Sequence, residues 1–379
     1  MKILFTGGGT GGHFYPIIAI AEEIDRLVEE RKLIGVEKHY MAAEQFDASL
    51  LLERDITFHQ VPAGKVRAYF SPLNFFDIFK TAAGLLRAIV RLYFLFPDVI
   101  FGKGGSESFP ALFAARVLGI PVMIHESDTL PGRVNRWAAK FALRIGTGFP
   151  EAAAHFKTAD KEKIAHTGIP VRRELFRPEY QGARDFLDLE AGIPVLLVLG
   201  GSQGAVALNE RVLDALPRLL ERYQVIHQTG MANIEECTRL AVLLLEGSEQ
   251  RSRYHPFGFL NTLALKQAAG ATDLLLCRAG ATTIAEAALW GLPAIVVPLP
   301  SAKGDHQREN AFAYARTGAA VVIEEANLTT TILLQEIGRL LGNVTERERM
   351  KNAARAFARP DAATLIADEL LRLALKHEG

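Results

Sequence analysis

Ile3-Leu4-Phe5-Thr6-Gly7-Gly8-Gly9-Thr10-Gly11-Gly12-His13 is the stretch that decides the fold. An apolar run too short for a helix ends in a glycine turn, and an amphipathic helix over Pro16–Glu30 follows. The same order returns at Val195-Leu196-Leu197-Val198-Leu199, which runs into Gly200-Gly201-Ser202-Gln203-Gly204-Ala205 and a second helix. Further strands are expected at Lys38–Ala42, Val99–Phe101, Val122–His125 and Ile145–Gly146. In the second half they are expected at Gln224–Gln228, Leu274–Cys277, Ala294–Val297 and Ala320–Ile323. Strands alternating with helices predict an α/β chain with two Rossmann-like, doubly wound parallel sheets. Ligands of such sheets sit at the carboxyl ends of the strands.

A chain of 379 residues exceeds what one core organises, so two domains are expected. The expected division is an N-terminal domain over 1–167 and a C-terminal domain over 168–359, with Gly168, Pro170 and Pro178 in the linker. A last helix, Ala362–Lys376 within 360–379, is expected to cross back onto the first domain. Lys plus Arg number 43 and Asp plus Glu number 43, so the chain lacks the basic excess that marks nucleic-acid binders. Cys237 and Cys277 lie in apolar segments and read as reduced, buried thiols. Met1 to Gly7 is too short for a signal peptide or a membrane span, so a cytosolic location is expected.

Glycine lets backbone N–H groups approach an anion, and the helix that follows adds partial positive charge. Besides Gly7–Gly12 and Gly200–Ala205, a third such turn is Gly102-Lys103-Gly104-Gly105-Ser106, where Lys103 is a candidate cation for phosphates. Three turns spread over both halves predict two phosphate-bearing ligands. Gly7, Gly9 and Gly12 also fit a dinucleotide fingerprint, but Glu44 lies later than the usual ~20 residues for its acidic partner. An NAD-dependent oxidoreductase therefore stays open on the first turn alone.

Four motifs in order carry a family resemblance. Gly8-Gly9-Thr10-Gly11-Gly12-His13, Gly200–Ala205, Arg278-Ala279-Gly280-Ala281-Thr282-Thr283-Ile284-Ala285-Glu286 and Asp305-His306-Gln307-Arg308-Glu309-Asn310-Ala311 resemble glycosyltransferase family 28. The resemblance runs through essentially the whole chain. It implies the GT-B architecture, two facing Rossmann-like domains with the donor held mainly by the C-terminal one.

The resemblance is greatest to members that move N-acetylglucosamine from UDP-N-acetylglucosamine to the 4-hydroxyl of N-acetylmuramoyl-pentapeptide pyrophosphoryl-undecaprenol, with inversion. It implies donor contacts at Thr10, Gly11, Gly12, Asp128, Arg172, Ser202, Leu260, Ala281, Thr282, Thr283, Ile284, Ala285, Glu286 and Gln307. Ser202 would contact the diphosphate, Leu260 the uracil through its backbone, Glu286 the ribose hydroxyls, and Gln307 hydroxyls of the transferred sugar. Gly9, Thr10, Gly104, Gly105 and Ser106 would address the acceptor pyrophosphate. Two positions depart from the pattern. Asp128 stands where resembling enzymes usually carry Asn, and Ser106 where they carry Tyr. Asp keeps an acceptor but loses the amide donor.

The residues agree chemically. A carboxylate such as Glu286 can accept from both ribose hydroxyls. Ala281–Thr283 open a helix whose N–H groups can neutralise departing UDP. No dense Asp/Glu cluster is evident, so no obligatory metal or other cofactor is expected. The attacking hydroxyl needs a proton acceptor. His13, at the end of a glycine turn and the start of a helix, is the candidate base, since the helix N-terminus favours neutral imidazole. Orienting the acceptor or capping the helix is the alternative role. His125, His166, His227, His255 and His306 lack zinc-site spacing.

Ser71–Phe96 has a wide apolar face of Phe75, Phe76, Ile78, Phe79, Ala82, Ala83, Leu85, Leu86, Ile89, Val90 and Tyr93. Asp77, Lys80, Gly84, Arg87 and Arg91 form the narrower opposite stripe, and Pro72 suits a helix start. With Lys65 and Arg67 nearby, residues 65–96 suit docking on an anionic membrane surface, here the cytoplasmic face of a bacterial membrane. An ordinary crossover helix packed on the sheet is the alternative. Two further readings stay open: a family 28 glycolipid synthase with another lipid acceptor, and a non-catalytic cell-wall scaffold.

Overall fold

The computed structural model describes residues 1–63, 73–201, 204–300 and 303–377, which form two compact units. One comprises Met1–Arg173 with Arg359–Gly379, and the other Glu174–Ala358.

In the first unit β1 (Lys2–Thr6), β2 (Glu37–Ala42), β3 (Ile56–Gln60), β4 (Val99–Gly102), β5 (Val122–Glu126), β6 (Arg144–Thr147) and β7 (Ile164–His166) make one parallel sheet. Their order is β3-β2-β1-β4-β5-β6-β7. The helices are α1 (Gly11–Glu30), α2 (Ala48–Glu53), α3 (Leu73–Leu95), α4 (Phe109–Leu118) and α5 (Arg133–Ala138).

The second unit repeats the plan with β8 (Val195–Leu199), β9 (Gln224–Gln228), β10 (Tyr254–Phe257), β11 (Leu274–Arg278), β12 (Ala294–Val297) and β13 (Ala320–Val322). These strands are parallel in the order β10-β9-β8-β11-β12-β13. Its helices are α6 (Ala183–Phe186), α7 (Val206–Leu219), α8 (Ile234–Leu244), α9 (Thr262–Ala271), α10 (Ala281–Trp290), α11 (His306–Arg316), α12 (Thr330–Leu341) and α13 (Val344–Phe357), and α14 (Ala362–His377) closes the chain. Strand order reverses between β1 and β4 and between β8 and β11. In open α/β sheets that is where ligands bind.

Each sheet is buried on both faces, so its central strands read as unbroken apolar runs. Val195 to Val198 are wholly buried, as are Ile3 to Phe5. α14 lays Ile366, Leu370 and Leu371, all 0% exposed, on Ile17, Ile20 and Ile24 of α1. Each such side chain contributes about 1.5–3 kcal/mol. Glu23, a buried carboxylate on α1, ties the seam: Arg26 Nε donates to it at 2.9 Å, Arg173 Nη1 at 3.2 Å and Thr364 Oγ1 at 2.8 Å. Burial pushes the Glu23 carboxyl up, but these donors together outweigh it and hold it below the usual value.

Some expectations change. α1 begins at Gly11, before Pro16, because the glycine turn itself supplies the first helical residues. The short edge strand β7 lies just ahead of and within the expected linker, and the units divide after Arg173, beyond the expected boundary at 167. The reason is local: a Cβ on Gly168 would lie 2.3 Å from Arg359 Cβ, so this segment runs against the returning chain and belongs to the first unit. β3, β7 and β10, which mix polar with apolar residues, have no counterpart among the expected strands. Cys237 and Cys277 are free and buried, and burial pushes the Cys277 thiol up to about 12.

On α3, Gly84, Ala88 and Leu92 form the core-facing stripe. Gly84 therefore lies on the buried face, not with the arginines; a Cβ there would stand 1.9 Å from Pro62 O. Leu86, Val90, Tyr93 and Phe94 remain 65%, 48%, 64% and 80% exposed beside exposed Arg87 and Arg91. Lys65, Arg67 and Pro72 lie outside the described residues, as do the side chains of 73–80. Among the described residues no helix is long and apolar enough to cross a membrane.

Candidate active site

The carboxyl ends of β1 and β4 carry two of the glycine turns. Gly9, Gly104 and Gly105 have φ of +82°, +90° and +81°, a region L side chains rarely adopt. A Cβ on Gly105 would stand 3.5 Å from both Gly8 O and His13 Nε2, so the second turn lies against the first and against the candidate base. His13 sits in the first turn of α1, half-buried. Thr10 takes the N-cap position without a side-chain cap, and its carbonyl accepts from His13 N at 3.1 Å. Gly12 is exposed beside it. Thr10, Gly11, Gly12, Gly104, Gly105 and His13 are thus brought together, with Ser106 next in the chain.

Glu107 was not foreseen. A Cβ on Gly8 would lie 2.5 Å from its Oε2, and one on Gly9 3.0 Å from its Oε1. An ionised Glu107 disfavours a second anion at Gly9, so the cradle is better suited to phosphate at Thr10–Gly12. Lys103 is also not where its place in the turn implied. It is 1% exposed, and its Nζ donates to the Ser127 hydroxyl rather than standing free over the turn. Asp128 lies one residue beyond, half-buried. Arg172 stands in the first unit, its guanidinium 4.7 Å from the Tyr15 ring centroid. Burial pushes the Asp47 carboxyl up, but hydrogen bonds from the Ser49 hydroxyl and the Leu50 and Ser49 N–H groups, with the Arg172 charge the least of the causes, together hold it below its usual value.

In the second unit, Gly201 and Gly204 have φ of +84° and +77°. Ser202 and Gln203 lie outside the described residues. The turn is braced by β9: Gln228 Nε2 donates to Gly201 O at 3.4 Å, and Gln228 Oε1 accepts from Leu260 N at 3.1 Å. The Leu260 N–H is therefore already engaged, which leaves its carbonyl as the backbone group for a base. Beneath, His227 donates Nε2–H to Asn209 Oδ1 at 3.0 Å and accepts at Nδ1 from Tyr254 at 3.0 Å. The direction follows because Asn209 Nδ2 donates to Thr229 O. Burial lowers His227 to about 3, so it is a neutral structural histidine.

α10 begins at Gly280 with no side-chain cap, so the N–H groups of Ala281, Thr282 and Thr283 point out of the helix end. Glu286 is half-buried, one turn on. Ile284 and Ala285 are 0% and 8% exposed, and Ile284 N donates to Gly280 O at 3.0 Å. Those two serve the core, because the helix period turns them inward. Gln307, in the first turn of α11, accepts from Leu299 N at 3.0 Å and pins the preceding loop. Asn310 Nδ2 donates to Ala279 O at 3.3 Å, which fixes α11 against the start of α10.

Two parallel α/β sheets, each with glycine turns at its switch point, are the architecture of the GT-B class. Residues 3–147 match the glycosyltransferase family 28 N-terminal domain, and residues 195–366 its C-terminal domain. The chain belongs to glycosyltransferase family 28. A Treponema denticola protein is 37% identical over 97% of this chain and 96% of its own length. One from Desulforudis audaxviator is 34% identical over 99% of both. Both are named UDP-N-acetylglucosamine–N-acetylmuramyl-(pentapeptide) pyrophosphoryl-undecaprenol N-acetylglucosamine transferase. The crystal structure of Acinetobacter baumannii MurG superposes with a TM-score of 0.72 at 26% identity, over 98% of this chain and 99% of that one.

Proposed function

We propose that this chain transfers N-acetylglucosamine from UDP-N-acetylglucosamine, with inversion, to the 4-hydroxyl of N-acetylmuramoyl-pentapeptide pyrophosphoryl-undecaprenol, a step of peptidoglycan synthesis. The observation that carries the reading is near-full-length kinship to relatives named for that reaction. In the second unit the diphosphate rests on Gly200–Ala205, with Ser202, and on the N–H groups of Ala281–Thr283. Glu286 accepts from the ribose hydroxyls, Leu260 O takes the uracil N–H, and Gln307 addresses the sugar. In the first unit Thr10, Gly104, Gly105 and Ser106 receive the acceptor pyrophosphate, and Thr10, Gly11, Gly12, Asp128 and Arg172 serve the donor.

As the acceptor oxygen bonds to the anomeric carbon, the bond from that carbon to the UDP oxygen breaks and its electron pair leaves with UDP. The acceptor proton passes to His13. The uncapped N-terminus of α10 stabilises the charge that develops on UDP. The apolar stripe of α3 with Arg87 and Arg91 docks on an anionic membrane, on the cytoplasmic side where the lipid acceptor is presented.

The test supplies UDP-N-acetylglucosamine with a lipid-linked muramoyl-pentapeptide analogue and measures UDP release and disaccharide together. Other UDP-sugars and a diacylglycerol acceptor serve as controls. UDP release without disaccharide, or transfer to diacylglycerol instead, rejects the reading.

A further inference from the structure

α3, α4 and α5 pack on one face of the first sheet, and a line of aromatic rings fills the seam between α4 and α5. Phe109 and Phe113 of α4, Trp137 of α5 and Phe141 just past it are all half-buried. Ring centroids lie 6.0 Å apart for Phe109 and Phe113, 5.1 Å for Phe109 and Trp137, and 4.9 Å for Trp137 and Phe141. The Phe113 and Trp137 rings stack at 15° with centroids 6.4 Å apart. Arg116 closes the far end, its guanidinium 5.2 Å from the Phe141 centroid.

Both walls of the seam start at the turn assigned to the acceptor pyrophosphate. The 3-10 turn Ser106–Ser108 runs straight into α4, so exposed Ser106, Phe109, Phe113 and Arg116 recur at helical spacing along one face. On the other wall, a Cβ on Gly104 would stand 2.8 Å from Nδ2 of Asn135, two residues ahead of Trp137. From Ser106 to Arg116 the chain rises about 15 Å. It travels from the carboxyl edge of the sheet to the amino edge, because α4 links β4 to β5. α3 leads into β4 and packs on α4, so it ends at that same amino edge with Tyr93 and Phe94 exposed. Val117 and Leu143, also exposed, stand there too. The apolar line therefore runs unbroken from the glycine turn to the exposed end of α3.

Its rim has one sign. Arg116, Arg133, Arg136 and Lys140 are exposed along it, and residues 109–118 and 133–143 contain no carboxylate. Apolar surface rimmed by cations fits a ligand with an apolar body and an anionic head. We propose that the seam between α4 and α5 seats the isoprenoid chain of the acceptor. The first isoprene units after the pyrophosphate lie on Phe109, Phe113 and Trp137, and the chain then passes to the bilayer at the end of α3. The proposal deepens the proposed function and rests on its placement of the pyrophosphate at Gly104–Ser106. Aromatic faces suit such a chain, since they present broad apolar surface whose negative quadrupole meets its C–H groups.

The test needs no turnover. The chain has two tryptophans, and Trp290 is buried in the second unit with its Nε1–H donating to Leu175 O at 2.8 Å, so Trp137 reports on the seam. Farnesyl pyrophosphate and inorganic pyrophosphate are each titrated into the full chain, the former below its micelle-forming concentration, and tryptophan emission is followed. Farnesyl pyrophosphate is expected to bind roughly 10–100-fold more tightly and to shift the emission, because only it buries apolar surface. Phe113→Gln is expected to remove most of that gain while leaving inorganic pyrophosphate within about 2-fold. Equal affinity for the two ligands, or unmoved emission, overturns the proposal even where Phe113→Gln fails to fold. Loss of vesicle binding in Phe113→Gln with farnesyl pyrophosphate affinity unchanged assigns the seam to the bilayer itself and also overturns it. No sugar transfer by a protein that does prefer farnesyl pyrophosphate refutes the proposed function and keeps the isoprenoid seam.

Discussion

Gly201→Ala and Gly204→Ala separate what the second-unit glycine turn does for folding from what it does for UDP. Both residues have positive φ, +84° and +77°, where alanine costs roughly 1–2 kcal/mol. A Cβ at Gly201 meets no heavy atom within 4 Å among the described residues, so that conformational cost is all the fold loses. At Gly204 the Cβ would stand 2.4 Å from Thr229 O and 2.4 Å from Asn233 Nδ2. Thr229 cannot yield easily: its carbonyl accepts from Asn209 Nδ2 at 2.9 Å and Asn233 Nδ2 at 3.0 Å, and its N–H donates to Phe257 O at 2.9 Å. Overpacking adds about 1–3 kcal/mol and a lost hydrogen bond about 1, so Gly204→Ala costs roughly 3–6 kcal/mol.

At about 2–4 °C per kcal/mol, Gly204→Ala lowers the melting of the second unit by at least roughly 6 °C, and Gly201→Ala by about 2–8 °C. UDP affinity should rank the other way for the protein that remains folded. The open space at Gly201 is where the diphosphate is proposed to approach, and a methyl there displaces a charged hydrogen bond worth about 1.5–3 kcal/mol, or roughly 10–150-fold in Kd. Scanning calorimetry and UDP titration on both proteins measure the two effects. Unchanged UDP affinity in Gly201→Ala, or equal melting of the two variants, refutes the reasoning.

His13→Ala is expected to lower kcat roughly 10²–10⁴-fold with UDP affinity little changed, measured by transfer assay and calorimetry; unaltered turnover removes His13 from the mechanism. Glu23→Gln keeps shape but weakens charge-assisted bonds to Arg26 and Arg173, both partly exposed, so about 1–2 kcal/mol of first-unit stability is lost at pH 7. Because the folded Glu23 carboxyl lies below 4.5, that contribution is present above about pH 4.5 and fades as pH falls through the lower folded value; a melting gap that widens in acid contradicts this. His227 is neutral when folded, with a pKa near 3 against 6.5 when unfolded, so its contribution is whole above pH 6.5 and erodes below it. The slope is about 1.4 kcal/mol per pH unit, seen as proton uptake on unfolding at pH 5. Vesicle binding should require anionic lipid, weaken with salt, and drop when Tyr93 and Phe94 are replaced by Ser; equal binding to neutral vesicles refutes the electrostatic part.

The doubly wound plan was legible because both sheets are buried on both faces. Val195–Leu199 and Ala294–Val297 are continuous apolar runs, and the structure makes strands of those residues. The elements that escaped lack that signature. β3 carries Thr57, His59 and Gln60 on an edge, and β7 is three residues long with Ala165 and His166 exposed, so neither has the apolar run that marks a strand. Gly84 misled for a related reason. Periodicity assigns a glycine to no face, and only the nearby Pro62 carbonyl reveals that its missing Cβ lets α3 approach the core.

For the site, motif order reveals which turns matter but not which atoms are already spoken for. Leu260 N–H is engaged by Gln228, a residue 32 positions earlier in the chain, so the contact leaves no local pattern. Lys103 reads as a phosphate cation from its glycine neighbours, yet its ammonium donates to Ser127 and is acted on by the charges of Glu126, at the end of the adjacent strand β5, and Asp128 in the loop beyond. In a parallel sheet every turn at the carboxyl edge touches the turn of the neighbouring strand, so polar groups there are shared between segments far apart in sequence. A cation placed in one such turn is therefore first a counter-charge for the next turn.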